Sequence, residues 1–277
     1  MPAATGNIVP PSLSPQRRCA FSRSLLTRTA ASSLHAIPHG LFSLFFPAEC
    51  RICDAPLQGF TRVPVCRDCL NAPAPLAADY FCTSCNAPFQ NAFPLDDAGV
   101  CALCRSGLLG FDRAACFGFY DGALRSLIHL FKYSGMRPLA GRLSRLLDRA
   151  LPIDERYDFI VPVPMHWRRR WRRGFNQAEL LAREVAKRRG IPLLNALRRR
   201  KATENQASLT SAARRRNAAG AFQPRPGIEL KGMRILLIDD VFTTGATAGA
   251  CAVALKKAGA KSVSLLTLAR ADRRFRE

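Results

Sequence analysis

The chain has no apolar run long enough to cross a membrane. Its most apolar stretch, LFSLFF, covers only residues 41–46, whereas a membrane-spanning helix needs about 20 apolar residues. A convincing secretory signal is absent as well. We therefore expect a cytoplasmic protein with no membrane span.

Acidic residues are scarce. The chain has 20 Asp and Glu against 42 Lys and Arg, which gives a formal net charge of +22. Residues 168–225 contain only three acids, which are Glu179, Glu184 and Glu204. Such an excess predicts attraction to polyanions, namely nucleic acid, phosphorylated metabolites or anionic membranes. A GC-rich genome would explain the number of arginines, but it would not explain their clustering.

The first 36 residues contain no acid at all and are rich in Ser, Ala, Pro and Arg. We expect residues 1–40 to form a disordered basic extension. An organellar transit peptide has the same composition, and a wrongly assigned start codon would produce a similar segment.

Histidine is also scarce, and the four histidines, at positions 35, 39, 129 and 166, show no metal-ligand spacing. Cysteine is abundant instead. Eight of the eleven cysteines form four Cys-x-x-Cys pairs between residues 50 and 104. This spacing indicates metal ligands in a reducing compartment rather than a disulfide framework. The eight are Cys50, Cys53, Cys66, Cys69, Cys82, Cys85, Cys101 and Cys104.

Each half of this set fits a zinc ribbon, in which four thiolates hold one tetrahedral zinc ion. The sequence therefore predicts a double zinc ribbon at residues 41–107 with two structural zinc ions. The pairs can combine in sequential order, or they can interleave so that the first pair joins the third. Iron–sulfur ligation is the less favoured alternative.

Beyond residue 111 the pattern becomes that of alternating strands and helices. Apolar runs in FDRAACFGFYDG, YDFIVPVP, MRILLIDD and KSVSLLTLA predict strands. Helical spacing appears in ALRSLIHLFKYSG, LAGRLSRLLDRAL, NQAELLAREVAKRRG and TTGATAGACAVALKKAG. Residues 198–218 are basic and aperiodic, which predicts a mobile loop. The pattern indicates an α/β domain with an open, mainly parallel sheet over residues 111–272.

The segment ILLIDDVFTTGAT at residues 235–247 carries the chemistry of this domain. An apolar strand delivers Asp239 and Asp240 to the carboxyl end of the sheet, where ligands bind in open α/β folds. Residues 243–247 then form a turn at the start of a helix, where backbone N–H groups bind anions. Gly245 lets a phosphate approach the backbone. A ligand with a phosphate at one end and hydroxyls or positive charge at the other, such as a sugar phosphate, fits both features.

This segment resembles the motif of type I phosphoribosyltransferases that binds 5-phosphoribosyl-1-diphosphate (PRPP). The wider pattern over residues 40–270 resembles the ComF family, in which a double zinc ribbon precedes a phosphoribosyltransferase domain. The matching segments are FPAECRIC, LIHLFKYSG, VPVPMHWRRRWRRGFNQAELLA, ENQASLTSAARRRNAAGAF, ILLIDDVFTTGAT and the closing LAR.

The resemblance implies a glycosyltransferase that transfers phosphoribose from PRPP with release of diphosphate. Asp239 and Asp240 would be the catalytic acids and would bind the ribose hydroxyls. The 5-phosphate would lie on Thr243, Thr244, Gly245, Ala246 and Thr247. Pro164, Met165, His166 and Trp167 would contact the diphosphate, with which Mg²⁺ arrives. No residue marks the acceptor as a purine, a pyrimidine or glutamine, so the acceptor remains open.

A basic and aromatic cluster lies in HWRRRWRRGFNQ. Trp167, Arg169, Arg170, Trp171, Arg172 and Arg173 could bind single-stranded nucleic acid, because arginines neutralise phosphates and aromatic rings stack on bases. The same arginines could border the PRPP pocket, or they could form a solvated edge. The family name points to competence. The alternative function is therefore handling of single-stranded DNA together with DNA-uptake proteins, and a metabolite-sensing regulator is a third possibility.

Overall fold

The computed structural model describes residues 49–57, 62–107, 109–152, 155–200 and 220–271. The predicted N-terminal extension and most of the predicted mobile loop lie outside the described residues. Within these ranges, none of the helices is both long and apolar enough to cross a membrane.

The centre of the fold is a four-stranded parallel sheet. Its strands are β3 (Arg113–Phe119), β4 (Phe159–Pro162), β7 (Arg234–Phe242) and β8 (Ser262–Arg270), in the spatial order β3-β8-β7-β4. All three neighbouring pairs are parallel. The two central strands, β7 and β8, read as almost continuous apolar runs because helices cover both of their faces. The predicted α/β fold with an open parallel sheet is confirmed.

Four helices cover the sheet, and they divide its faces. On one face lie α3 (Gly122–Tyr133), α4 (Leu139–Ala150) and α6 (Gln177–Arg189), which share a core with Leu236 and Ile238. On the other face lies α7 (Ala246–Lys257), which shares a core with Ile235 and Leu237. This division follows from the period-two alternation of strand side chains. Asn176 caps α6, since its side chain accepts a hydrogen bond from the N–H of Ala178 at 3.2 Å.

The sequence did not predict two features of the fold. Helix α5 (Trp167–Arg173) lies between β4 and α6. Strand β5 (Leu197–Arg199) pairs antiparallel with β6 (Phe222–Pro224). Residues 198 and 199, which we predicted to begin the mobile loop, therefore belong to a strand, and the loop prediction is wrong for these two positions.

In its described part, the cysteine-rich region contains only short elements: α1 (Arg67–Asn71), β1 (Tyr80–Phe81), β2 (Pro88–Phe89) and α2 (Ala102–Arg105). Its two halves pack on opposite faces of the sheet. Cys50 and Val65 belong to the core that contains α3 and α4. Cys82, Cys85 and Cys101 belong to the core that contains α7.

Candidate functional site: an acidic and arginine-lined cleft beside two cysteine clusters

Asp239 and Asp240 lie near the carboxyl end of β7 and border a cleft of about 290 Å³. Because neighbouring strand residues point to opposite faces, the two carboxylates meet different partners. Asp240 pairs with Lys132 of α3, whose Nζ lies 2.9 Å from its Oδ1. Asp239 lies on the α7 side, and its Oδ1 accepts a hydrogen bond from the backbone N–H of Asp240 at 2.9 Å.

These environments shift the pKa values of Asp239 and Lys132. Burial, reinforced by repulsion from Asp240, raises the pKa of Asp239 to about 7. Burial alone would lower the pKa of Lys132, but its ion pair with Asp240 and the attraction of Asp239 outweigh burial and raise that pKa. The acid pair therefore combines a carboxylate that forms an ion pair with Lys132 and one that titrates near neutrality.

The TTGAT turn, which we define as residues 243–247, follows β7 and leads into α7. Gly245 has a φ of +72°, and a Cβ atom there would lie 2.8 Å from Leu109 Cδ2 and 3.0 Å from Phe242 Cε2. Glycine is therefore required both for the backbone conformation and for the close packing. The turn brings the N-terminus of the 12-residue helix α7, with its positive dipole end, to the cleft.

Three arginines form the opposite wall of the cleft, which we call the arginine wall: Arg169 and Arg173 of α5, and Arg199 of β5. Burial and the neighbouring Arg169 lower the pKa of Arg199. Within the described residues, two buried polar atoms of the cleft lining have no hydrogen-bond partner, the Nε of Arg173 and the Oγ1 of Thr267. Buried polar groups are nearly always paired, so these two atoms point to a polar ligand.

Helix α5 divides the predicted basic and aromatic cluster between two faces. Arg169 and Arg173 are four residues apart and border the cleft. Trp167 and Trp171 share the same spacing on the other side, where they are 65% and 87% exposed. Arg170 contacts Glu179 at 3.5 Å, and Arg172 is exposed. The structure thus separates the pocket-rim arginines from an aromatic solvent-facing stripe.

Most of the predicted ligand-binding residues meet in the cleft, but not all of them. The lining includes the two acids with Pro164, Met165, Thr243, Gly245, Ala246 and Thr247. Thr244 lies in the turn, and its Oγ1 accepts a hydrogen bond from the N–H of Ala246 at 3.4 Å. The side chain of His166 is buried and caps α5 by accepting from the N–H of Arg168 at 3.3 Å.

The sequence interpretation missed several residues of the cleft. Tyr120, Lys132, Asn176, Arg199 and Thr267 also line it. Lys132 was inside a segment that resembles the family, LIHLFKYSG, but nothing local connects it to an aspartate more than 100 positions away. Thr267 could have been found from strand register, because it lies directly opposite Asp239.

The cysteine pairs combine in sequential order. Cys50, Cys53, Cys66 and Cys69 form the first cysteine cluster, and Cys82, Cys85, Cys101 and Cys104 form the second cysteine cluster. In each cluster the sulfur atoms lie within 4.8 Å of one another. The closest separations are 3.7 Å for Cys53–Cys66 and Cys82–Cys104, and 3.8 Å for Cys85–Cys101. Four thiolates around one zinc at about 2.3 Å would be about 3.8 Å apart, so both sulfur sets fit a tetrahedral zinc ion.

Backbone donors stabilise the thiolate of one cysteine in each cluster, Cys50 and Cys82. The N–H of Cys66 donates to Cys50 Sγ, and the N–H of Cys101 donates to Cys82 Sγ, both at 3.3 Å. Burial would raise the pKa of Cys82, but these backbone hydrogen bonds lower it to about 7. Asp54 and Asn86, each directly after a Cys-x-x-Cys pair, have positive φ values of 57° and 54°. Cys116 and Cys251, outside the clusters, are buried.

The parallel sheet and the position of the cleft define a phosphoribosyltransferase-type protein. Residues 171–276 match the family model described as "Phosphoribosyl transferase domain". Among solved structures, an allosteric regulatory enzyme of purine biosynthesis is similar over 48% of this chain and 26% of its own, with 19% identity and a TM-score of 0.34. The chain thus spans about a quarter of that enzyme, and a similarity of this extent implies nothing about a shared reaction.

Sequence relatives identify the family. Competence protein F of Haemophilus influenzae is 33% identical over 69% of this chain and 85% of its own length. The DNA utilization protein YhgH of Salmonella typhi is 30% identical over 82% of this chain and 99% of its own length. Competence protein ComFC of Streptococcus pneumoniae is 32% identical over 60% of this chain and 71% of its own length. The chain belongs to the ComF family.

Proposed function

We propose that the chain binds PRPP in the cleft together with Mg²⁺ and transfers its phosphoribosyl group to an acceptor, with release of diphosphate. The observation that carries this proposal is the convergence of an acid pair, a helix N-terminus and an arginine wall in one cleft of about 290 Å³. The acid pair is negative, whereas the helix N-terminus and the arginine wall are positive, and PRPP presents a matching group to each of them.

The ligand is oriented by this order of charges. Its 5-phosphate takes the N–H groups and hydroxyls of the TTGAT turn. Its ribose hydroxyls donate to Asp239 and Asp240. Its diphosphate lies beside Pro164 and Met165 and pairs with the arginine wall, where guanidinium forks suit phosphate oxygens. Carboxylate and phosphate oxygens are the ligands that Mg²⁺ prefers, so the acid pair and the diphosphate together suit that ion.

The chemistry proposed is a displacement at C1 of the ribose. The bond from C1 to the diphosphate oxygen breaks, the acceptor forms a new bond to C1, and diphosphate leaves with the bonding electrons. Positive charge develops on the ribosyl ring, and the nearby carboxylates stabilise it. Diphosphate gains negative charge as it leaves, and the arginine wall stabilises that charge. Lys132 forms an ion pair with Asp240 beside the ribose.

The two cysteine clusters are proposed to hold one structural zinc ion each. Four thiolates per cluster and the observed sulfur separations support zinc. Small modules of this kind cannot bury a sufficient core of their own, so metal binding supplies folding free energy. A reducing compartment such as the cytoplasm is the setting that keeps these thiols available.

The test is a thermal-shift titration with PRPP and Mg²⁺. At about 100 times Kd, mass action should stabilise the parent by about 2.7 kcal/mol. The double variant Asp239→Asn with Asp240→Asn should lose this stabilisation. Asp148→Asn is the matched control, because it removes a carboxylate that pairs with Arg188 and Arg189 away from the cleft. Equal stabilisation of the double variant and the parent would refute the site.

A second candidate function is the handling of single-stranded DNA. The observation that favours it is the exposure of Trp167 and Trp171 on one side of α5, with Arg168 and Arg172 exposed beside them. Basic residues interleaved with aromatic rings are typical of single-strand binding surfaces. Relatives named for competence and DNA utilization support it, and DNA-uptake proteins would be its partners. Alanine variants on the two faces of α5 test this candidate function.

A further inference from the structure

Arg270, the last residue of β8, is 6% exposed and connects the second cysteine cluster to the sheet. Its Nη1 donates to the backbone carbonyl of Cys85 at 2.8 Å, and its Nη2 lies 3.9 Å from Cys85 Sγ. The guanidinium also stacks on Phe242, with its carbon 4.3 Å from the ring centroid. One buried side chain therefore contacts both a cluster cysteine and the residue that precedes the TTGAT turn.

Phe242 contacts both Arg270 and the TTGAT turn. A Cβ atom at Gly245 would lie 3.0 Å from Phe242 Cε2, so the ring packs directly against the glycine. Phe242 also lies opposite Arg270 in the β7–β8 register. Its ring stacks edge-on against Phe111 at 5.9 Å. The position of the ring thus depends on Arg270 and in turn limits where the turn can lie.

A second route connects the same cluster to the same turn. Five residues after Cys104, Leu109 packs its side chain on Gly245, where a Cβ atom would lie 2.8 Å from its Cδ2. The carbonyl oxygen of Leu109 also contacts Gly249 in the first turns of α7, closely enough to exclude any larger residue there. The TTGAT turn is therefore held between Leu109 and Phe242. Leu109 shares a core with Cys82, Cys85 and Cys101 of the second cysteine cluster, and Arg270 connects Phe242 to Cys85.

We propose that Arg270 is a positioning residue that couples metal loading of the second cysteine cluster to the shape of the TTGAT turn. This inference rests on the proposed function only in identifying the ligand of the turn. A metal ion fixes Cys85 and Cys104, and these fix Arg270 and Leu109. Through Phe242 and Leu109 the N–H groups of the turn are then held in position for a phosphate. By thermodynamic reciprocity, a ligand in the turn tightens metal binding at the second cluster.

The first cysteine cluster serves as an internal comparison, because it packs on the other face of the sheet. Cys50 shares a core with α3 and α4. An arginine that contacts a phenylalanine lies on that face as well: Arg149, which is exposed, places its guanidinium carbon 5.3 Å from the ring centroid of Phe117. Arg149→Lys removes an arginine–phenylalanine contact that does not lead to the cleft.

The first measurement is hydrogen exchange of backbone amides in the zinc-loaded full chain without ligand. Arg270→Lys keeps the charge but loses the planar fork and the stacking on Phe242. Amides of residues 244–250 should exchange faster in Arg270→Lys and in Leu109→Ala, and should be unchanged in Arg149→Lys. Unchanged exchange in both Arg270→Lys and Leu109→Ala would overturn the coupling, whatever the ligand is.

The second measurement uses PRPP with Mg²⁺ as the probe. Arg270→Lys should bind it about tenfold more weakly than the parent, within the usual range of coupling between two sites, and Arg149→Lys should bind it as the parent does. PRPP should also slow zinc release to a colorimetric chelator from one of the two clusters in the parent, and this effect should be lost in Arg270→Lys. Equal affinities and equal release would contradict the inference. If the parent itself fails to bind PRPP, the proposed function fails, and the exchange measurement still decides the coupling.

Discussion

At the scale of single residues, Asp239 and Asp240 show how identical neighbours acquire different chemistry. Strand geometry sends one carboxylate to Lys132 and the other towards α7. Asp240 forms an ion pair with Lys132. Burial and repulsion from Asp240 raise the pKa of Asp239 to about 7, so Asp239 is partly protonated near neutral pH. A pair of this kind can accept two hydroxyl donors while carrying fewer than two negative charges, which limits the cost of keeping it in a partly buried cleft.

The first residue-scale prediction concerns stability against pH. The pKa of Asp239 is raised from 3.8 unfolded to about 7 folded. Between about pH 4 and pH 7 the folded protein therefore keeps a proton on Asp239 that the unfolded chain has lost. The contribution of Asp239 to stability is fully present below about pH 4 and is lost as pH rises through about 7. Asp239→Asn removes the charged form. It should raise the free energy of unfolding at pH 8 by about 2 kcal/mol, after a discount for partial exposure, and should have little effect near pH 4. Chemical denaturation at both pH values measures this.

The second residue-scale prediction is the opposite effect at the neighbouring position. Asp240→Asn leaves the ammonium of Lys132, which is 15% exposed, without its carboxylate. Removing one partner of a largely buried pair typically costs about 3 kcal/mol or more. The variant should therefore be less stable than the parent at pH 8, and Lys132→Met combined with it should recover part of the loss. If Asp239→Asn and Asp240→Asn change the free energy of unfolding at pH 8 in the same direction, the two carboxylates do not differ in the way described.

At the scale of elements, helix α5 is a helix that apolar periodicity does not predict. Its seven residues, WRRRWRR, contain no apolar period that packs on a core, so periodicity did not predict a helix. The helix is set by its ends, with His166 as the N-cap and Gly174 in the left-handed conformation at the C-terminus. The larger elements were predicted because they bury apolar stripes. The buried residues of α3 are Leu124, Leu127, Ile128 and Phe131, and they give the segment ALRSLIHLFKYSG its helical spacing.

The same limit applies to the site. The acids and the TTGAT turn were found because β7 and α7 are adjacent in the chain, and the cysteine pairs were found from spacing alone. Lys132, Arg199 and Arg270 reach their partners only through tertiary packing, so no local pattern marks them. The sequential pairing of cysteines likewise required the fold, since both pairings satisfy the spacing.

The element-scale prediction tests the two faces of α5 separately. Trp167→Ala with Trp171→Ala should weaken binding of single-stranded DNA at all salt concentrations, because stacking contributes roughly 1–3 kcal/mol per base. Arg168→Ala with Arg172→Ala should instead flatten the salt dependence, since fewer counterions are released. Arg169→Ala with Arg173→Ala should mainly weaken PRPP binding. Fluorescence anisotropy with an oligonucleotide at several salt concentrations measures the first two effects.

The nucleic-acid hypothesis has a clear point of failure. If neither the tryptophan pair nor the solvent-facing arginine pair alters DNA affinity, the surface of α5 is a solvated edge. If PRPP competes with DNA, one edge of the cleft serves both ligands. Independent binding would place the DNA on the tryptophan side alone, where the two rings are 65% and 87% exposed.

At the scale of the whole molecule, the cysteine region is divided between the two faces of the sheet. The first cysteine cluster contributes Cys50 to the core beneath α3 and α4. The second contributes Cys82, Cys85 and Cys101 to the core beneath α7. The cluster cysteines are therefore parts of the same two cores that hold the parallel sheet. Metal bound by them should stabilise the domain that contains the cleft as well as the short elements of the cysteine region.

The molecular-scale prediction concerns metal removal. Elemental analysis should return about two zinc ions per chain, one for each set of four thiolates. Cys50→Ser with Cys53→Ser should lose one ion and lower the melting temperature while leaving PRPP binding near the parent value. Cys101→Ser with Cys104→Ser should also lose one ion but should weaken PRPP binding, because Cys104 leads to Leu109 and Gly245. Chelation of both ions should unfold the cysteine region first and then destabilise the sheet, since metal binding in such modules is folding free energy. Differential scanning calorimetry with and without a chelator separates the two steps. A metal-free chain that melts at the temperature of the parent would show that neither cluster holds a structural ion.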